Sequence, residues 1–363
     1  MSILHDEGQL AIAEETRRVL AARKNLARQL DLTDRIGEWD EDFWRTAVEQ
    51  GWTALAVPEE CGGLGLGLIE LGLVAQEAGR VLSGAPFLTG GYGAVQVLLH
   101  APDEVRDHWL PRLAAGGVTA AFATMEGNAI LQGVPAVQYA AGRLNGLKSG
   151  VAGGAGADVA VVSASAADGP VLVLVDLSKA IRKPIAGFDN ARLHADLVFD
   201  NTPGIILCEG DGAVEAAIDA LIHMAVLTAH EQVGGAEAMM LAARDYALER
   251  KAFGQPIGAF QSVKHRLAEL YGLVEIARAS CYHAASRAGQ ADFVEAGACA
   301  RLSATEAYDT AARDGTQIHG GLGVAWDTGL HLHMRRARSL AIELGNSLFW
   351  EDLLAVELIG EWL

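Results

Sequence analysis

Arg244-Asp245-Tyr246-Ala247-Leu248-Glu249-Arg250-Lys251-Ala252-Phe253-Gly254-Gln255-Pro256-Ile257-Gly258 contains the end of a proline-free run from Ala213 to Arg250. Apolar residues recur along that run at helical spacing, enough for a helix of about 55 Å if it is continuous. The Gly234-Gly235 pair inside it allows another helix to pack closely. At its end, Arg250 can give a charge-assisted, multidentate hydrogen bond to a pyrophosphate. Phe253 offers an apolar face, Gly254 permits a tight backbone path, and Gln261 can hydrogen-bond a cofactor. Taken alone, these features are better read as a capped helix end.

Outward from this segment, helical periodicity continues at about 259–288, 292–315 and 329–341, and a further helix closes the chain. Towards the N-terminus the pattern differs. Short β-rich runs, Val159–Val162, Val171–Val175 and Leu197–Phe199, lie between Gly, Asp and Pro turns, and Leu144–Lys148 reads as a turn feeding another strand. Before about Val118 the spacing is helical again, as at Phe43, Ala47, Trp52 and then Leu68, Leu71, Val74, Ala75 and Ala78. The glycines of Val57–Gly67 superficially offer a phosphate loop, but helices flank both sides and a flexible interhelical loop is the better reading. Helices, then strands, then helices imply an α+β, mostly α protein rather than a parallel α/β sheet. The expected domains are 1–117 (helical), 118–211 (a small β-barrel or sandwich) and 212–363 (a helical bundle).

The 363 residues and 51% hydrophobic composition support a substantial core. The formal charge of -18 argues against nucleic-acid or anionic-membrane partners. Cys61, Cys208, Cys281 and Cys299 form no CxxC pair and no metal spacing, which fits a reducing cytoplasm. The acidic, amphipathic start is unlike a signal peptide, and no uninterrupted apolar stretch reaches membrane-spanning length. The expectation is a cytoplasmic protein off the membrane.

The segment Arg244–Gly258, with Phe260-Gln261 and Lys264-His265 following, resembles the acyl-CoA dehydrogenase signature. So does Gln317-Ile318-His319-Gly320-Gly321-Leu322-Gly323, in the family's order and at its separation. The resemblance covers the whole chain. It implies an N-terminal helical domain, a middle β domain and a C-terminal four-helix bundle, assembled as dimers or dimers of dimers. It further implies FAD as cofactor, an acyl-CoA thioester as substrate and an electron-transfer acceptor. On this reading Arg250, Gln317, Gly320 and Gly321 hold the ADP half of a neighbouring subunit's FAD, and Phe253 and Gln261 are further cofactor-binding residues.

Family catalysis needs a carboxylate to take the proton α to the thioester carbonyl. Alignment on Met334-Arg335-Arg336-Ala337-Arg338 puts that position at Leu344, just before Gly345, and leucine accepts no proton. The alternative family position, on the long helix, falls on Met224. Glu343 is the nearest substitute, but one residue turns a side chain by roughly 100–180°. The family's flavin-binding loop reads Phe122-Ala123-Thr124-Met125-Glu126, with methionine in a threonine's place, and Gly150-Val151-Ala152 stands where an aromatic, an aliphatic and a hydroxyl residue are usual. What reaches a neighbour's FAD is kept, and what serves the chain's own flavin is altered. This resembles the subunit without a base in heterotetramers of bacterial steroid side-chain degradation, completed by a homologous catalytic subunit. Two alternatives stand beside it. One is a homo-oligomeric flavoenzyme using Glu343; the other is a structural or regulatory subunit without FAD.

The remaining constellations carry less. His331 and His333 point to different sides of a helix, so with His319 they suggest no metal site. No Gly-x-Ser-x-Gly elbow is present. Glu126 reads as structural, and Met224, Met239 and Met240 as core residues.

Overall fold

The computed structural model describes residues 5–82 and 86–359. Six helices come first: α1 (Glu7–Arg23), α2 (Leu26–Thr33), α3 (Glu41–Glu49), α4 (Leu68–Arg80), α5 (Phe87–Leu98) and α6 (Asp103–Ala114). Seven strands follow: β1 (Ala120–Ala123), β2 (Gln138–Ala140), β3 (Arg143–Val151), β4 (Val159–Ala166), β5 (Gly169–Asp176), β6 (Ile181–Pro184) and β7 (Ala195–Glu209). The helical remainder comprises α7 (Gly210–Glu249), α8 (Gln261–Ser286), α9 (Phe293–His319), α10 (Leu330–Ile342) and α11 (Ser347–Ile359). A small hairpin of β8 (Lys251–Ala252) and β9 (Gln255–Pro256) separates α7 from α8. Contacts divide the chain into two compact units. One is Met1–Asp31, Leu68–Ser83 and Ala225–Leu363; the other is Leu32–Gly67 and Gly84–Met224.

The second unit is built on the β sheet. β4 pairs with β5, β5 with β7, β7 with β3, β3 with β2 and β2 again with β4, so the sheet closes on itself. Among the described residues only the short β1–β4 and β2–β4 pairings are parallel. Closure pairs the strands of the ring on both sides, while β1 and β6 attach at one side each, to β4 and β7. Val161, Val162, Val173 and Val175 are completely buried. The turn expected at Leu144–Lys148 is instead part of β3, and the reversal sits at Ala141-Gly142. Both of those residues have positive φ (49° and 77°), as a two-residue type I′ hairpin requires. Gly146, φ 138°, marks an irregularity in the pairing with β7, which explains the turn-like sequence inside a strand. The 57–67 loop has no flanking strand, and its end folds back on its own start and on the preceding turn. Leu64, Gly65 and Leu66 amides donate to Ala54, Val57 and Leu55 carbonyls at 2.9, 2.9 and 2.8 Å.

The first unit depends on close helix packing. A Cβ on Gly234 of α7 would lie 1.8 Å from the Gln76 carbonyl oxygen of α4, and one on Gly79 of α4 would lie 2.0 Å from the Glu231 carbonyl oxygen. Gly235 faces α9, where a Cβ would meet the Tyr308 ring at 2.3 Å. The glycine pair therefore does what its sequence suggests. A chain of ions joins four helices around this crossing. Arg17 of α1 and Arg80 of α4 bind Glu77 at 2.8 and 3.0 Å, Arg80 also binds Glu237 of α7, and Arg278 of α8 binds Glu237 at 3.1 Å. Burial opposes the charge on Glu237, but Arg278 and Arg80 hold its carboxyl below the usual range. α7 is long and apolar enough by length and composition to cross a membrane, but 72% of its apolar window is buried inside the protein.

Gly234→Ala should cost about 1–3 kcal/mol through overpacking. Gly272→Ala on α8, where a Cβ meets nothing within 4 Å, should be neutral or stabilising by about 0.5–1 kcal/mol. Chemical denaturation of the two variants checks the contrast.

Candidate functional site

The last turn of α7 and the hairpin after it form one small construction. The Arg250 amide donates to Tyr246 O at 2.8 Å, and the Ile257 amide returns to Arg250 O at 2.7 Å. Phe253 and Gly254, φ 51° and 83°, make the reversal between β8 and β9. Beneath it Ala243, Ala247 and Ile318 are buried, with Tyr246, Ile257, Val263 and Leu267 packed against them. A cavity of about 600 Å³ opens here, lined by Tyr246, Arg250 and Ile257 and, from the end of α9 and the turn after it, by residues Ile318 to Leu322.

The cavity thus brings together Arg250, Gly320 and Gly321 of the expected set. Phe253 is 97% exposed at the hairpin tip, edge-on to Phe260 at 6.2 Å, while Gln261 and Gln317 are exposed; none of these three lines the cavity. No described residue makes an ion pair or hydrogen bond with the exposed Arg250 guanidinium, so its full donor set remains available to an anion. Cβ atoms on Gly320 and Gly321 would meet nothing within 4 Å, so a ligand can approach backbone there. Arginine, open backbone and an apolar wall fit a diphosphate joined to an organic group. Sequence reasoning missed Tyr246 and His319. Their rings stack at 4.5 Å and 27°, and His319 Nδ1 lies 2.7 Å from Gly315 O. Both belong to the segments quoted from the sequence, but nothing there announces a stack between distant positions.

The turn at Glu343-Leu344-Gly345 ends α10. Leu344 has φ 60° and Gly345 φ 110°. A left-handed leucine costs on the order of 1–3 kcal/mol and persists only where surroundings enforce it. Arg301 of α9 does so here. Its guanidinium is completely buried and donates to Glu343 O at 2.7 Å, to Leu340 O, and to Thr305 Oγ1 at 3.2 Å. Trp350 Nε1 holds Gly345 O at 3.2 Å. Glu343 itself is 7% exposed, and Leu344 is half-buried.

In the β unit, the Met125 Cε lies 2.7 Å from where a Cβ on Gly150 would stand, and Gly150 has φ 57°. The two departures from the expected pattern are therefore coupled: the methionine fills space that a side chain at 150 would need. Neither supplies a hydroxyl. Glu126 is structural. Its carboxylate accepts from Lys148 Nζ at 2.6 Å and from the Ala136 and Val137 amides at 2.6 and 3.1 Å. Burial works against its charge, but Lys148 and these amides hold its carboxyl below the ordinary range. Met224 is buried against Gly93, where a Cβ would meet its sulfur at 2.4 Å, and Met239 and Met240 are buried as well.

His331 stacks on Trp326 at 4.6 Å, whereas His333 is buried with Nδ1 2.9 Å from Tyr308 Oη. No group of three or more His, Cys, Asp or Glu among the described residues is placed to hold a metal ion.

Comparison with known proteins agrees with this architecture. Residues 6–117 match the family described as "Acyl-CoA dehydrogenase, N-terminal domain", and residues 211–355 match "Acyl-CoA dehydrogenase, C-terminal domain". Acyl-CoA dehydrogenase IpdE2 of Mycobacterium tuberculosis is 32% identical over 304 residues, covering 84% of this chain and 82% of that protein. Acyl-CoA dehydrogenase FadE28 of the same organism is 36% identical over 232 residues, covering 63% of this chain and 66% of the relative. Among solved structures, a Tcur3481-Tcur3483 steroid ACAD variant superposes with a TM-score of 0.87 at 26% identity, covering 98% of each chain. The ChsE4-ChsE5 complex from Mycobacterium tuberculosis, at 24% identity, shares the fold with a TM-score of 0.88 over 99% of this chain and 100% of that one.

Burial first, then Lys24 and Arg336, pull the His333 pKa from 6.5 down to about 3. Between those values the unfolded chain binds a proton that the folded one refuses. Stability is therefore full above pH 6.5 and is lost as pH falls below it. The expected loss approaches about 1.4 kcal/mol per pH unit from this group, and His333→Asn should remove that component from denaturation curves compared at about pH 7.5 and 5.5.

Proposed function

The chain belongs to the acyl-CoA dehydrogenase family, and we propose that it is the subunit without a base in a hetero-oligomer that desaturates an acyl-CoA thioester. A homologous catalytic subunit supplies the carboxylate, and this chain completes that partner's FAD site. The observation that carries the reading is Leu344. The turn expected to bear the base is fully built and held by Arg301, yet its side chain has no proton acceptor.

FAD, when bound, supplies the two-electron acceptor for the hydride leaving the β carbon. The Arg250 guanidinium binds the diphosphate by charge-assisted hydrogen bonds. Open backbone at Gly320 and Gly321 lets the ligand lie close, while Ile257, Ile318 and Leu322 provide an apolar wall that keeps water from its edge. Phe253, Gln261 and Gln317 are exposed and so remain available for contact with a partner's cofactor. In the β unit, Met125 and Ala152 offer no hydroxyl to a flavin ring, so the chain's own residues favour lending a site over owning one. Leu344 takes no proton, so the proton α to the carbonyl goes to a carboxylate of the partner.

The names of relatives suggest a bulky steroid-derived acyl group as substrate of the assembly. An electron-transfer acceptor would serve as the oxidant of the assembly, and the reaction belongs in the cytoplasm. Glu343→Gln in the purified complex should leave turnover unchanged, since its main chain serves the turn and its neighbour occupies the base position. Arg250→Ala should weaken FAD retention by about 1.5–3 kcal/mol, roughly 10- to 150-fold in affinity, read from flavin absorbance of the copurified complex. Turnover by the lone chain that disappears in Glu343→Gln would instead favour the homo-oligomer.

A further inference from the structure

The cavity beside Arg250 contains a group that its diphosphate role leaves unused. His319 is 9% exposed and lines the cavity. Its Nδ1 faces Gly315 O at 2.7 Å. A carbonyl oxygen only accepts, so Nδ1 carries the proton, and in the neutral ring Nε2 is left with a lone pair. Among the described residues nothing hydrogen-bonds Nε2. The ring cannot turn freely, because Tyr246 stacks on its face at 4.5 Å and 27° while the Gly315 carbonyl holds its edge.

Such an acceptor is wrong for phosphate. Phosphate oxygens in a diphosphate linkage also only accept, and two acceptors repel. The group it suits is a donor, a hydroxyl or amino group, lying next to an anion held by Arg250. About 600 Å³ is also more room than a diphosphate needs and falls within the range of about 300–1,000 Å³ typical of small-molecule sites.

We propose that His319 is the specificity-determining residue of this cavity: Nε2 accepts a hydrogen bond from the nucleoside part of an adenine dinucleotide whose diphosphate lies on Arg250. Tyr246 acts through His319 and is a positioning residue. One turn of α7 separates it from Arg250, so a single helix end sets both the charge and the platform for the imidazole. The cavity then reads a nucleoside diphosphate and discriminates against a bare anion. This rests on the reading of the cavity as the ADP half-site for a partner's FAD, and adds to it the residue that recognises the nucleoside.

The test is calorimetric binding of ADP and of inorganic pyrophosphate to the full chain and its variants. His319→Phe keeps a ring against Tyr246 but has no acceptor; it should weaken ADP roughly tenfold and leave pyrophosphate within about twofold. His319→Gln, whose amide oxygen can still accept, should keep ADP within about threefold of wild type and covers the case in which the phenylalanine variant does not fold. Tyr246→Leu should weaken ADP selectively, with Tyr246→Phe restoring it. Arg250→Ala should weaken both ligands. The proposal is overturned if His319→Phe leaves ADP binding unchanged or weakens both ligands equally, or if His319→Gln loses ADP as completely as an apolar replacement. Failure of the wild-type chain to bind either ligand would overturn the half-site reading beneath it as well.

Discussion

Close approach of α7 and α9 is the constraint from which the functional end of the molecule follows. Gly235 accepts the Tyr308 ring, and Gly315 sits where a Cβ would be 2.7 Å from Met239 Cε. With no side chains at those points, the two helices run together to their C-terminal ends. Tyr246 and Arg250 leave one end, and His319 and Gly320 leave the other. A cavity forms between chain segments far apart in sequence because two glycines bring their helices together. Glycine in a helix interior costs about 1 kcal/mol relative to alanine, so such positions are maintained by packing rather than propensity.

A second consequence of α9 is the turn at Leu344. Arg301 sits wholly inside the protein, and besides Gln232 and Thr305 its guanidinium binds two backbone carbonyls at the end of α10. A buried guanidinium is expensive unless its donors are matched. Here they hold a strained backbone in place. The turn is firmly built although the leucine side chain at its centre has no proton-accepting group, and in the β unit Met125 fills the space beside Gly150. Firm structure without those chemical groups is what the proposed partner-completing subunit requires.

Much of this was readable from the chain. Periodicity found the long helix and its successors, and α9 continues past the expected end to His319 because Gly315 faces a neighbour and does not terminate the helix. Gly234-Gly235 was legible because paired small residues in an apolar helix have few other uses. Asn145-Gly146 misled, since the dipeptide that makes a hairpin turn also relaxes an irregularity inside a strand. Arg250 and the two glycines of the cavity could be named only because their two segments resemble the family signature, since local chemistry alone favours helix ends. The His319–Tyr246 stack, the Met125–Gly150 compensation and the grip of Arg301 on Leu344 could not. Each is a contact between residues distant in sequence, and neither period nor motif encodes it.

The central claim is that this chain lends a nucleotide half-site and lacks a base. It is tested most directly by native mass and flavin stoichiometry of the chain purified alone and with a homologous subunit. The account predicts little FAD and no acyl-CoA dehydrogenation from the lone chain, and a mixed assembly that carries FAD and turns over. A homo-oligomer with one FAD per chain and full activity would contradict it.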